Sequence, residues 1–468
     1  MRRHVYVSMA GWPVLSILMA GSSITGLWAL TDSKTKLSLA LKTGAPSYAK
    51  DVAPIIQKNC QPCHRAGEVA PFALENYKQA AAKAQMLKAV TAKRIMPPWK
   101  AESHGEFMDE RRLSDSEIAI LARWADSGSP EGDRKLTPPN PKYRSGWKLG
   151  EPDAVIGMAE TYKVGAEGRD EYHCFVIPTN YAEDRYVSAV EVHPGNRAVV
   201  HHVIAYLDQN GKARKLDEAD PGPGYTNPTP GGGPGFFPAG FFGGWAPGNE
   251  SQHLPKGIGD LLPKGSDIVL EVHYHRNGKV ELDKTEIGLY FCKGPVEKRI
   301  RLMPVINLGI KIPAGEANHV EHASMPVMQD ITVLGVTPHM HMLGKSARMY
   351  ATLPDKSTKP LVYLPSWDFN WQLNYGYKQP IRFPKNTTIH LEARYDNSEK
   401  NPRNPTRPPK TVTWGEQTTD EMCIAFVAYT ADSESLSKGI SVPDLYDISA
   451  GGLRQSGIGA TRAGKADR

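Results

Sequence analysis

Two groups of residues in this 468-residue chain have the types and spacing for redox chemistry. The first is Cys60-Gln61-Pro62-Cys63-His64, a C-x-x-C-H run. Two thiols at this spacing can form thioethers to a porphyrin, and the adjacent imidazole can ligate its iron, which is the attachment signature of a c-type haem. A low-spin haem needs a second axial ligand. Met96, in Arg94-Ile95-Met96-Pro97-Pro98-Trp99, is the leading candidate, because two prolines after a helical segment fix a loop that can present a thioether. Met86 and Met108 are the alternatives. A thioredoxin-like dithiol is the competing reading, and His64 weighs against it.

The second group is histidine-rich. Of 15 His, ten fall between His193 and His341. Pairs occur in His201-His202, His273-Tyr274-His275 and His339-Met340-His341, and Glu421-Met422-Cys423 adds a thioether. On a strand, residues i and i+2 share a face, so His339 and His341 can chelate one metal, as can His273 and His275. Glu271 falls on the face of that second pair. His201 and His202 point to opposite faces of a regular strand, and can share a metal only where the strand bulges. A lone buried His is usually a hydrogen-bonded core residue, and a lone Met is usually a gap filler; pairs in three separate segments are poorly explained that way. Three imidazoles suit zinc or copper. If Met422 joins His339 and His341, the thioether favours copper.

The elements that must position these groups follow from local pattern. Residues 47–130 read as helical: 74–95 is rich in Ala, Lys and Gln, and Ser114-Asp115-Ser116-Glu117 is a capping box before Ile118, Ile120, Leu121 and Trp124. Gly128 and Pro130 stop that helix. This region resembles a small class I cytochrome c. Residues 131–150 form a Pro-containing linker. Short candidate strands follow at 186–192, 267–275, 286–291, 330–337, 388–395 and 422–429, separated by turn residues, as in antiparallel sandwiches or jelly rolls. The expected fold is therefore a small all-α cytochrome c domain followed by two all-β jelly-roll domains, at 151–295 and 296–450. Residues 221–248 hold ten Gly and seven Pro with Phe236, Phe237, Phe241, Phe242 and Trp245, and read as a long loop. Residues 451–468 read as a disordered tail.

Composition narrows the function classes. Apolar residues make up 40% and charged residues 23%, which excludes wholesale disorder and a polytopic membrane protein. The net charge of +6 comes with no long basic block, so a nucleic-acid partner is not indicated. Five Cys exclude a disulfide scaffold; Cys174, Cys292 and Cys423 leave at most one internal disulfide and an odd thiol. Met1-Arg2-Arg3-His4 precedes an uncharged run over residues 5–31, which reads as an export signal or a retained membrane anchor. The expected location is periplasmic or otherwise extracytoplasmic.

Taken in order over about residues 150–435, the segments HHV, VHYH, HMHMLG and DEMC resemble the copper type II ascorbate-dependent monooxygenases, the family of peptidylglycine α-hydroxylating monooxygenase and dopamine β-monooxygenase. The resemblance implies two jelly rolls, one copper on each, facing a solvent-filled cleft. It implies that His201, His202 and His273 hold an electron-transfer copper, and that His339, His341 and Met422 hold the copper that activates O2. His275 is then a bystander. Peptide-amidating members carry Arg two residues before the His-x-His pair, with Asn and then Tyr after the Met; here those positions are Thr337, Ile424 and Phe426. The anchor for a peptide carboxylate is missing and the pocket is more apolar, so peptidylglycine is not the expected substrate. The expected activity is hydroxylation of a C–H bond in a small organic substrate by O2. Electrons would come from an ascorbate-like reductant or a redox protein, through the fused haem to the His201/His202/His273 copper. The rival reading is a non-catalytic copper-binding electron carrier. A cupredoxin is excluded, because its site needs a His shortly after a Cys, whereas no His follows Cys423 and the first after Cys292 is His319.

Overall fold

Helix formers and caps dominate the first third of the chain, alternating β-branched and aromatic residues the rest, and the architecture divides accordingly. The computed structural model describes residues 44–444, apart from 145, 228–232, 237, 239, 250 and 416. The segment read as an export signal or anchor, and the expected tail, lie outside the described residues. Among the described residues no helix is long and apolar enough to cross a membrane.

The helical part runs through Ala53–Asn59, Tyr77–Ala81, Ala84–Ala92 and Asp115–Asp126. The last has the expected capping box: Ser114 accepts the Glu117 N–H, and the Glu117 carboxylate accepts the Ser114 N–H at 2.7 Å. Two N–H groups that the helix cannot satisfy itself are thereby satisfied. Leu121, Trp124 and Ala125 recur at helical spacing and are buried against Tyr48, Ile56 and Leu87. The expected 74–95 helix is two helices with a break at Ala82–Lys83.

Residues 99–108 leave these helices. Trp99, Ala101 and Phe107 are buried in the core of the second β unit. The backbone there pairs with strand edges, the Glu102 N–H donating to Tyr363 O and the Met108 N–H to Gly376 O.

Each β unit is two sheets face to face. In the first, one sheet orders Ala154–Gly157, Glu286–Phe291, Arg185–His193, Ile258–Leu262 and Lys298–Arg299; the other orders Tyr225–Thr226, Glu171–Pro178, Asp267–Tyr274, Val200–Asp208 and Gly240–Trp245. Pairing is antiparallel except between Ile258–Leu262 and Lys298–Arg299, so this sheet continues past residue 295. In the second, Arg301–Ile306, Ile424–Ala431, Ile331–His339 and Tyr375–Phe383 face His319–Pro326, Thr388–Tyr395, Gly344–Thr352 and Thr358–Leu364. The Gly/Pro-rich 221–248 run is not only a loop: Gly240–Trp245 pairs with Val200–Asp208. Glycine allows this, since a Cβ on Gly244 would sit 2.7 Å from Val203 O.

Strand alternation decides which side chains meet. Val203, Ala205, Ile268, Leu270 and Val272 point into the first core, so His202 and His273 project from the opposite face. Val333, Val336, Ala425 and Val427 point into the second core, which puts Thr337, His339, Ile424 and Phe426 on its outer face. The two outer faces meet, with the rings of Phe241 and Phe426 5.3 Å apart. None of the five cysteines is in a disulfide.

Candidate metal centres

The first cluster is built by register. Tyr172, His273 and His202 are direct partners across three neighbouring strands. Directly opposed residues hold their side chains side by side on one face. His201 joins them because the register shifts between Val200 and His202, a β-bulge that turns its ring to the same side. His201 Nδ1 and His202 Nδ1 lie 3.2 Å apart, and His273 Nδ1 lies 3.3 Å from His202 Nδ1. An ion about 2 Å from each nitrogen at tetrahedral angles needs a nitrogen spacing of about 3.3 Å. One ligand atom from each of the three residues falls within a 4.8 Å set.

Protonation agrees with that geometry. Burial and the neighbouring imidazoles push His201 down to about 4 and His202 well below the ordinary histidine range, so neutral lone pairs converge. His273 Nε2 is 3.0 Å from Asp170 Oδ2, which places its proton on Nε2 and leaves Nδ1 bare. The same carboxylate reaches His275 Nδ1 at 3.0 Å, while the His275 side chain is 67% exposed. His275 thus contacts the acid that orients His273 and stays outside the convergent set. Glu271 is buried opposite Cys174 and Ile204, and Asp170 is the acid on His273.

The second cluster sits where Ile331–His339 ends. The His339 and His341 rings are 5.1 Å apart. His339 Nδ1 is 2.6 Å from Gln372 Oε1, and His341 Nδ1 is 3.2 Å from Asp420 O. Both Nδ1 atoms therefore donate, and both Nε2 atoms carry lone pairs. Burial pushes His339 down to about 4 and His341 to about 3. His339 pairs with Ile424, where the ladder between these two strands ends, so His341 and Met422 lie on the chain segments just beyond it. Glu421 ties these parts together. Its Oε2 accepts the His341 N–H at 2.8 Å and the Met422 N–H at 3.2 Å, and its Oε1 accepts the Leu343 N–H at 2.6 Å. Trp367 Nε1 donates to His341 O at 3.0 Å. Two imidazoles are a donor pair suited to copper, and a thioether from Met422, whose backbone shares the Glu421 carboxylate with His341, would complete a set that favours it.

Aromatic side chains join the clusters. The Phe369 ring lies parallel to His201 at 6.0 Å and edge-on to His341 at 5.7 Å. Tyr172 stacks on His273 at 4.2 Å, and its hydroxyl is 3.4 Å from Thr418 Oγ1, two residues before Asp420. Asp170, Gln372, Phe369 and Tyr172 carry no motif, and only the tertiary structure finds them. Glu421 adjoins Met422 in the DEMC run, the one signal that singled out its neighbourhood.

The C-x-x-C-H run follows helix Ala53–Asn59. His64 Nδ1 is 3.0 Å from Phe72 O, which leaves Nε2 bare, and its ring lies 4.6 Å from Phe72. Burial pushes the Cys60 thiol up to about 12, opposite to the lowered pKa of a reactive redox dithiol. Two cysteines outside any disulfide and an oriented imidazole fit covalent haem attachment. Met96 is half-buried and lines a crevice with Leu113, Pro365 and Trp367; Cys60, Cys63 and His64 are not among its walls. Met86 is 46% exposed, and Met108 packs toward Gly376 of the second β unit. The loop after His64 does meet the first β unit: Glu68 pairs with Arg197 at 2.9 Å, four residues before His201.

Comparisons with known proteins bear on the second cluster. No curated protein matches the chain. Among solved structures, that of the infectious bursal disease virus Gt strain is 12% identical and covers 60% of this chain and 73% of its own, at a TM-score of 0.16. The VP2 subviral particle of the same virus is 9% identical and covers 61% and 78%, also at 0.16. Likeness at that level carries no argument. Residues 314–441, which include His339, His341, Glu421 and Met422, match the family described as copper type II ascorbate-dependent monooxygenase, C-terminal domain. The second β unit is thus similar to the C-terminal domain of a family of copper-dependent oxidoreductases.

Proposed function

We propose that this chain is an extracytoplasmic copper monooxygenase that hydroxylates a C–H bond of a small organic substrate, with a c-type haem as its electron relay. The balance is substrate, O2, two electrons and two protons in, and alcohol plus water out. The observation that carries the reading is the second cluster: two neutral imidazoles with free Nε2 atoms, on a loop that Glu421 ties to Met422, inside the segment that matches the copper family. His201, His202 and His273 would hold one copper; His339, His341 and Met422 would hold the other. Copper at these positions supplies one-electron redox steps and O2 activation.

The protein's own residues do the rest. Asp170, Gln372 and the Asp420 carbonyl hold protons on the far nitrogens, so the near ones stay available. Phe369 and Tyr172 occupy the space between the clusters. Thr337, Ile424 and Phe426 give the His339 face an apolar lining without a carboxylate anchor. Cys60, Cys63 and His64 would hold the haem, and the Glu68–Arg197 pair supports electron delivery toward His201, because it ties the haem loop to the turn that leads there. An ascorbate-like reductant or a redox protein would supply the electrons.

Metal and haem analysis of protein matured in a periplasm tests the reading. Two coppers per covalent haem, and O2 uptake that depends on reductant, are expected. His341→Ala should lose one copper and the O2-dependent turnover with the haem spectrum intact. Full turnover in that variant would remove the cluster from the mechanism.

A further inference from the structure

Gln372 orients the His339 ring, and both ends of its side-chain amide are committed. Its Nε2 donates to Phe369 O at 3.0 Å, which turns Oε1 toward His339 Nδ1 at 2.6 Å. A carbonyl oxygen can only accept, so the direction of the amide is fixed. What then places His339 is the backbone of Gln372. Residues 365–374 connect Thr358–Leu364 to Tyr375–Phe383 and belong to no strand. Backbone groups outside a ladder take their partners elsewhere. Here one partner comes from the first β unit. Asn249 Nδ2 donates to Gln372 O at 2.9 Å, and Asn249 Oδ1 accepts the Asn374 N–H at 3.2 Å. The Asn249 amide thus docks on this loop as a residue of a neighbouring strand would. Asn249 is held in turn. Its N–H donates to Ala246 O at 3.0 Å, and Arg111 Nη2 donates to Gly248 O at 2.7 Å. Gly248 has a φ of +88°, and a Cβ there would lie 3.1 Å from the Trp371 ring, so only glycine lets the turn press against the loop.

We infer that Asn249 is a positioning residue for the second cluster: it fixes the loop through which Gln372 sets His339. The two residues it holds both pass a side-chain bond to the His339 strand. Gln372 bonds His339 itself, and Asn374 Oδ1 accepts from the Thr337 hydroxyl at 2.9 Å, two residues before it. The geometry of one metal centre therefore depends on the β unit that carries the other. The consequence for copper rests on the proposed function; the action on the His339 ring does not. An aspartate at 249 has the same shape but no donor, and sets an anionic oxygen against Gln372 O.

The test compares the full chain with Asn249→Asp, Asn249→Ala, Gln372→Ala and the Asn249→Ala/Gln372→Ala double variant. In metal-free protein, the nitrogen chemical shifts of the His339 ring report its tautomer. The unmodified chain should carry the proton on Nδ1, and both Asn249 variants should shift it toward Nε2. In the copper-loaded protein, chelator competition gives the affinity of each cluster. Both Asn249 variants should weaken copper at the His339 cluster by about tenfold, the lower end for loss of an outer partner of a metal-bound imidazole. The His201/His202/His273 copper and the haem spectrum should not change. Because Asn249 acts through Gln372, adding Asn249→Ala to Gln372→Ala should cost little more than Gln372→Ala alone. An unchanged His339 tautomer in both Asn249 variants, or full additivity in the double variant, overturns the inference. Absence of copper from the unmodified protein would sink the proposed function instead, and the tautomer would still decide whether Asn249 acts on His339.

Discussion

Replacing Glu421 should cost the second cluster its geometry before it costs the protein its fold. This carboxylate is fully buried and accepts backbone N–H groups from His341, Leu343 and Met422. One side chain thus fixes the spacing between the His-x-His loop and the methionine. Burial pushes its carboxyl up to about 8, while those N–H groups pull the other way. Glu421→Gln keeps the shape and one acceptor oxygen, which can still serve His341 and Met422. Its amide NH2 then faces the Leu343 N–H, leaving one buried donor unpaired at about 1–3 kcal/mol. Glu421→Ala leaves three, which reaches about 3–9 kcal/mol and rivals the whole stability of an ordinary domain. The assay is urea unfolding alongside copper counting by metal analysis and EPR. The Gln variant should stay folded, keep the copper of the His201/His202/His273 cluster, and lose affinity for the other. A Gln variant with unaltered unfolding midpoint and two tightly held coppers would refute the reasoning.

Acid should unsettle the metal-free protein. His201, His339 and His341 have folded pKa values of about 4, 4 and 3, below the unfolded value near 6.5, so the unfolded state binds more protons and stability falls as pH drops from 6.5 toward 4. At pH 5 each should cost about 2 kcal/mol, read as a lower urea midpoint than at pH 7; equal midpoints would show that these imidazoles are not held neutral. Asp170→Ala removes the group that places the His273 proton on Nε2, and should weaken copper binding at that cluster by about 10–100-fold; competition with a chelator measures it. Phe369→Ala should keep both coppers but change the dipolar broadening between the two Cu(II) signals, because that ring spaces His201 from His341; Phe369→Trp should restore most of it, and an unchanged spectrum in the Ala variant would show that the ring does not set the separation.

Much of the design was legible in one dimension because it is local. The Ser114–Glu117 box declares a helix start through bonds spanning three residues. The alternation in 388–395 reports one buried face, the apolar run in 267–275 a strand buried on both, and both segments are strands within a residue of the expected bounds. The types His, Met and Cys, and the i, i+2 spacing of His339 and His341, announce metal chemistry because few other roles use them together. What the sequence could not carry is register and contact between distant segments. That His202 stands opposite His273, 71 positions along the chain, depends on the intervening residues closing one way. That His201 turns inward depends on a bulge with no residue signature. Trp99, Ala101 and Phe107 look like the end of a helical unit but fill the second β core, since burial of large apolar side chains outweighs chain proximity. Asp170, Gln372, Phe369 and Asn249 are ordinary residues in ordinary contexts; only the folded chain, by setting each beside an imidazole or the loop that holds one, gives them work.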